Sequence, residues 1–88
     1  GNKMTKITHM MLIKKKGCDF CDEVVEPTIK LCKERGIDLA IKMKGEVPSY
    51  MINGAYPFWW LGSGKDVWGF HPDMEGSIEQ LIDKIESQ

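Results

Sequence analysis

Apolar and polar positions alternate along the chain with two different periods, and the changes of period mark its elements. From about Thr5 to Ile13 the residues are largely β-branched or apolar, and the run ends at Lys14-Lys15-Lys16-Gly17. That pattern predicts a first strand followed by a short loop. From Cys18 to about Arg35, the residues Cys21, Val24, Val25, Thr28, Leu31, Cys32 and Arg35 recur at helical spacing, and Gly36 supplies a stop. This predicts one helix. Pro27 inside it predicts a kink rather than an end, because the apolar pattern continues past it. Ile37, Leu39, Ile41 and Met43 then alternate with Asp38, Ala40 and Lys42, a period of two that predicts a second strand. Joined to the first by a helical crossover, it is expected to run parallel to it.

The second half reads as a connector, a hairpin and a helix. Gly45 to Tyr56 has weak helical character, with Pro48 suited to the first position of a short helix and Asn53-Gly54 marking a turn. Phe58-Trp59-Trp60-Leu61 and Val67-Trp68-Gly69-Phe70 flank Gly62-Ser63-Gly64-Lys65-Asp66, which predicts a β-hairpin with a five-residue loop. Ser77-Ile78-Glu79-Gln80 is a capping box, and Ile78, Leu81, Ile82 and Ile85 form one apolar stripe of a final helix. Trp59, Trp60 and Trp68 are expected to pack on the two helices as core. Phe58 and Trp60 share one strand face while Trp59 and Leu61 share the other, which leaves an edge-strand tryptophan as a candidate docking platform. His71 reads as a loop histidine.

Composition narrows the function classes. At 88 residues, with 42% hydrophobic and 28% charged positions, the chain has room for one domain with a modest core. Twelve Lys and Arg against thirteen Asp and Glu leave a net charge of −1, with a pI near 6.1. No global field therefore recruits nucleic acid or an anionic membrane. No apolar stretch approaches the roughly 20 residues of a membrane span, and Met10-Met11-Leu12-Ile13 is too short and wrongly flanked for a signal peptide. The expectation is a cytoplasmic monomer with proteins or small thiols as partners. In that compartment a Cys-x-x-Cys is usually catalytic rather than a structural staple.

The chain carries such a motif, Gly17-Cys18-Asp19-Phe20-Cys21, between the strand-like and helix-like runs. A thiol at the first turn of a helix sits among backbone N–H groups that lack intrahelical acceptors, at the positive end of the helix dipole, so its thiolate is stabilised. Cys18 is the expected nucleophile. Cys21 lies close enough along the same turn to close a small ring, and is the expected resolving thiol. The charge of Asp19 opposes a neighbouring thiolate; Lys14, Lys15 and Lys16 could offset it, although a lysine run at a strand end is more often a solvated edge. The same pair is half of a zinc site, but structural zinc takes four ligands. Beyond the pair the chain offers only Cys32, His9 and His71, with no second closely spaced pair. Cys32 falls too far along the helix to bridge to Cys21 and reads as a small buried core residue.

The motif and the element order together resemble the thioredoxin-like superfamily. Without a Trp before the first cysteine, the resemblance is to its glutaredoxin branch and small thioredoxin-like proteins. The resemblance covers nearly the whole chain, 1–88, as a single domain. It implies an α/β fold: a four-stranded mixed sheet flanked by helices, in the order strand, helix, strand, short helix, strand, strand, helix. The family carries a cis-proline facing the dithiol at the start of the third strand. Pro57, leading directly into Phe58, fits that place better than Pro48, so the resemblance implies a cis Tyr56-Pro57 bond. In the family the backbone just before this proline pairs with an extended partner segment. Tyr56 and Pro57 are thus implied substrate contacts, joined by Lys16, Asp19 and Phe20 around the dithiol. Two departures stand out. Met10-Met11-Leu12-Ile13 lacks the buried acid common in thioredoxins, and Gly69-Phe70-His71-Pro72-Asp73 differs from the glycine pair and acids that help glutaredoxins hold glutathione. The implied activity is a thiol-disulfide oxidoreductase, a protein disulfide reductase or electron carrier without a cofactor, whose partners are protein disulfides and an upstream reductase or small thiol. A second reading is a non-catalytic binding or adaptor module that keeps the fold, uses the aromatic face, and holds a metal through the cysteines.

Overall fold

A computed structural model describes residues 6–52, 55–64, 66–70 and 77–87. The expected strand start at Thr5, the Asn53-Gly54 turn and His71 lie outside these residues. The elements are β1 (His9–Lys14), α1 (Asp19–Glu23), α2 (Val25–Arg35), β2 (Asp38–Met43), a single 3₁₀ turn (Ser49–Met51), β3 (Phe58–Ser63), β4 (Asp66–Phe70) and α3 (Ile78–Glu86). The strands form one sheet in the order β2-β1-β3-β4. β1 and β2 are parallel, as a helical crossover requires, while β1 with β3 and β3 with β4 are antiparallel. The molecule is thus an α/β protein with a mixed four-stranded sheet.

The predicted single helix is two. Pro27 has no N–H to offer the Glu23 carbonyl, the acceptor a continuous helix would need, so the first helix closes at Glu23 instead of bending. Val24 is the joint. Its N–H donates to the Phe20 carbonyl at 3.2 Å, and its own carbonyl accepts from Thr28 N–H at 3.1 Å. Pro27 then sits in the first turn of α2, where a missing donor costs nothing. At the other end Gly36 is left-handed (φ +66°), and Ile37 N–H returns to the Cys32 carbonyl at 2.8 Å.

The hairpin is tighter than the apolar pattern implied. Ser63 pairs with Asp66, so the loop is two residues rather than five. Gly64 takes φ +68°, the positive value that a two-residue hairpin turn asks of its first central position. α3 begins as the sequence indicates. Ser77 and Gln80 each cap the other's backbone N–H at 3.2 Å.

Both long helices lie on one face of the sheet. Met10 and Leu12 of β1 and Trp59 and Leu61 of β3 form the core with Leu31 and Cys32 of α2 and Ile82 and Ile85 of α3. Trp68, opposite Leu61, packs at its margin. Thr28 is the one buried polar side chain among the described residues, and its hydroxyl accepts from Trp59 Nε1 at 3.3 Å. Arg35 closes the helix layer: its guanidinium lies 2.7 Å from Asp83 and 3.6 Å from Glu86, while Glu86 also accepts from Ile7 N–H at 2.9 Å. The hydrogen bond that Arg35 donates to Asp83 and the surrounding carboxylates raise the Arg35 pKa further, so α2, α3 and the approach to β1 share one fixed cation.

Period two sends the alternate residues to the other face, which departs from the expectation of a sheet flanked by helices. The predicted short helix between β2 and β3 is only the 3₁₀ turn, and Pro48 caps it from outside. Trp60 is on this second face, beside Met11 and opposite Gly69, so it does not pack on the helices as predicted. A Cβ at Gly69 would stand 3.0 Å from the Phe58 ring and 3.3 Å from the Trp60 ring, so only glycine leaves room for that tilted aromatic pair, whose centroids are 5.7 Å apart. Trp60 Nε1 donates to the Met51 carbonyl at 2.6 Å, which ties the 3₁₀ turn over the sheet.

Candidate functional site

The sequence places Cys18 where β1 has ended and α1 begins, and the structure makes it the N-cap of α1 (φ −103°, ψ 104°). Gly17, left-handed at φ +77°, turns the chain into that position. Cys18 and Cys21 are joined by a disulfide, with Cα atoms 5.2 Å apart. The Cys21 backbone N–H donates to Cys18 Sγ at 3.2 Å, so the sulfur takes up one of the N–H groups that a helix start leaves open. The two sulfurs differ in access: Cys18 is half-buried, whereas Cys21 is fully enclosed at 0% exposure. Only Cys18 meets solvent.

The surroundings are divided by charge. Lys14, Lys15 and Lys16 read first as a solvated strand end that could also offset Asp19, and among the described residues none pairs with it. Lys14 Nζ instead binds Asp22 at 3.0 Å, fastening the end of β1 to α1. Lys15 Nζ lies over the Tyr56 ring, 5.7 Å from its centroid. Lys16, Asp19 and Phe20 are exposed, and Phe20 keeps 48% of its surface in solvent despite being apolar.

Tyr56-Pro57 is a cis peptide bond. Phe58 pairs with Ile13, so Pro57 stands one register step beyond the paired strands, beside the point where β1 runs into the lysine loop and the dithiol. Pro57 is fully buried and Tyr56 partly so. This end of the sheet thus brings Lys15, in the loop that leads to Cys18, against Tyr56 in the segment that leads into Pro57. Sequence reasoning named Cys18, Tyr56 and Pro57 as site residues but not Lys15, because its contact joins residues on different loops and leaves no local spacing signal.

Cys32 is apart from this site. It is buried at 3% exposure, its thiol facing the Met10 sulfur at 3.7 Å, and it stays unpaired as predicted. Burial pushes its pKa up, which favours the neutral thiol in the fold. The stability this gives is complete below the free-thiol pKa and is lost as pH rises through the raised value. Among the described residues no three His, Cys, Asp or Glu side chains converge as a metal site, and no helix is long and apolar enough to cross a membrane.

The second sheet face holds a groove of about 590 Å³, lined by Met11, Ala40, Tyr50, Met51, Trp60 and Val67 among others. It is a different place from the dithiol. His9, Asp38 and Gly62 at its rim belong to the opposite end of β1, β2 and β3. Comparison of the chain with family models, with curated proteins and with solved structures found no match.

Proposed function

We propose that this chain is a thiol-disulfide oxidoreductase of thioredoxin-like architecture that reduces protein disulfides through Cys18 and Cys21. The observation that carries the reading is the unequal pair: one sulfur accessible at a helix start, its partner enclosed behind it and already within bonding distance. A structural staple needs no such asymmetry. The order strand, two helices, strand, hairpin, helix adds support.

In the reduced chain the Cys18 thiolate attacks one sulfur of a partner disulfide. The partner S–S bond breaks, its second sulfur leaves as a thiolate and takes a proton, and a mixed disulfide remains on Cys18. Cys21 then attacks Cys18 Sγ, and its proton passes to the departing partner thiolate, since β1 carries no carboxylate to take it. The mixed disulfide breaks, the partner leaves as its second thiolate and is protonated, and the Cys18–Cys21 disulfide forms. Two electrons and two protons pass to the partner. Return to the dithiol takes two electrons from an external dithiol reductase or two equivalents of a small thiol.

Equilibration in dithiol/disulfide buffers should show a single two-electron transition that gains or loses two alkylatable thiols. Peptide mapping should assign both to Cys18 and Cys21, with Cys32 reduced throughout. A bridge to Cys32, or a bond that no native-state buffer reduces, would sink the reading. The second reading, a binding module without turnover, draws on the apolar groove around Trp60. Recovery of the chain with one tightly held zinc per molecule would favour it.

A further inference from the structure

Lys15 makes a contact that the exchange steps themselves do not use. Its ammonium lies 5.7 Å from the Tyr56 ring centroid, inside the roughly 6 Å over which an aromatic face attracts a cation. Its neighbour Lys14 binds Asp22 of α1 at 3.0 Å. Adjacent residues of one loop therefore grip the dithiol helix on one side and the segment before Pro57 on the other. A lysine at a strand end is ordinarily a solvated edge residue, but here two in a row are engaged with different elements.

We infer that Lys15 is a positioning residue that makes polypeptide disulfides, rather than small ones, the preferred substrates of this site. The inference rests on the oxidoreductase reading. Held under the ammonium, the Tyr56 ring fixes the backbone that leads into Pro57, at the end of the sheet where β1 gives way to the loop before Cys18, and an extended chain pairs with that backbone by strand addition. A mobile Tyr56 would have to be ordered on each binding event, which weakens association. A small disulfide reaches the Cys18 sulfur without using that backbone, so its turnover depends less on Lys15.

The test compares kcat/KM for a neutral disulfide-bearing peptide and for a small uncharged disulfide, so that long-range charge steering is equal for both. In Lys15→Met the peptide-to-small-disulfide ratio should fall about two- to fivefold, through KM for the peptide. Lys15→Arg should restore it, because a guanidinium also sits on aromatic faces. In a Tyr56→Leu background, Lys15→Met should add nothing. An unchanged ratio in Lys15→Met, a loss that arginine does not rescue, or additive losses in the double variant would overturn the positioning role and leave the dithiol chemistry standing. A wild-type chain that reduces neither substrate would overturn the oxidoreductase reading, and the positioning role with it.

Discussion

Cys21→Ser should trap partner proteins on Cys18 as mixed disulfides, and Cys18→Ser should trap none. The two variants should separate because the proposed mechanism gives the two sulfurs different work. Cys18 is the sulfur that solvent and partners reach, so without it no first bond forms. Cys21 is enclosed and can attack only the sulfur beside it, so without it the first bond forms and persists. Both variants should lose steady-state turnover down to the uncatalysed exchange rate. Non-reducing gels followed by mass spectrometry of the adducts make the comparison. Equal trapping by both variants would mean that the roles are misassigned, and adducts mapped to Cys32 would move the chemistry elsewhere.

Trp59→Ala should cost about 3–5 kcal/mol, and Trp60→Ala about 1–2 kcal/mol, although the residues are adjacent and chemically identical. Trp59 is 3% exposed, belongs to the core between the sheet and both long helices, and donates to the hydroxyl of buried Thr28. Its loss opens a cavity and strands a buried polar group. Against a total stability of about 5–15 kcal/mol, that is enough to unfold much of the population of a small domain. Trp60 is half-buried on the uncovered face, with a single hydrogen bond to the Met51 carbonyl. Urea unfolding of both variants measures the difference. Equal losses would mean that the second face is as tightly packed as the first.

The contrast between these tryptophans also shows where the chain explains itself and where it does not. Period two separated Trp59 from Trp60 at once, but the number of helices available to cover each face was not in that pattern. The connector after β2 had weak helical signals, and it forms only the turn Ser49–Met51. Gly36, the Ser77–Gln80 box and the dithiol were legible because each is a local device whose physics acts within a few residues. Pro27 was legible as a disturbance but not as a break. Whether a helix bends or restarts is settled by the hydrogen bonds around the break, and here Val24 ends one helix through its N–H to Phe20 and opens the next by accepting from Thr28. The hairpin loop was overestimated because apolar side chains stop at Leu61, whereas the backbone ladder runs on through Gly62 and Ser63 without them.

At the site, the spacing of Cys18 and Cys21 and the place of Pro57 ahead of an aromatic strand could be read directly. The pairing of Lys14 with Asp22, and of Lys15 with Tyr56, could not. The lysines looked like a counterweight to Asp19 because all are close in sequence. Lys14 instead reaches Asp22 in α1 and Lys15 reaches Tyr56 across the sheet, and no linear spacing encodes those contacts.

The most direct test is the rate at which the wild-type chain speeds electron transfer from an excess of a small dithiol to a peptide disulfide, followed by appearance of the peptide thiols. The account predicts saturable acceleration at catalytic concentrations of the chain, abolished by Cys18→Ser and untouched by Cys32→Ala in protein that remains folded. A rate that equals the dithiol alone, or one that disappears with Cys32 and persists without Cys18, would contradict it.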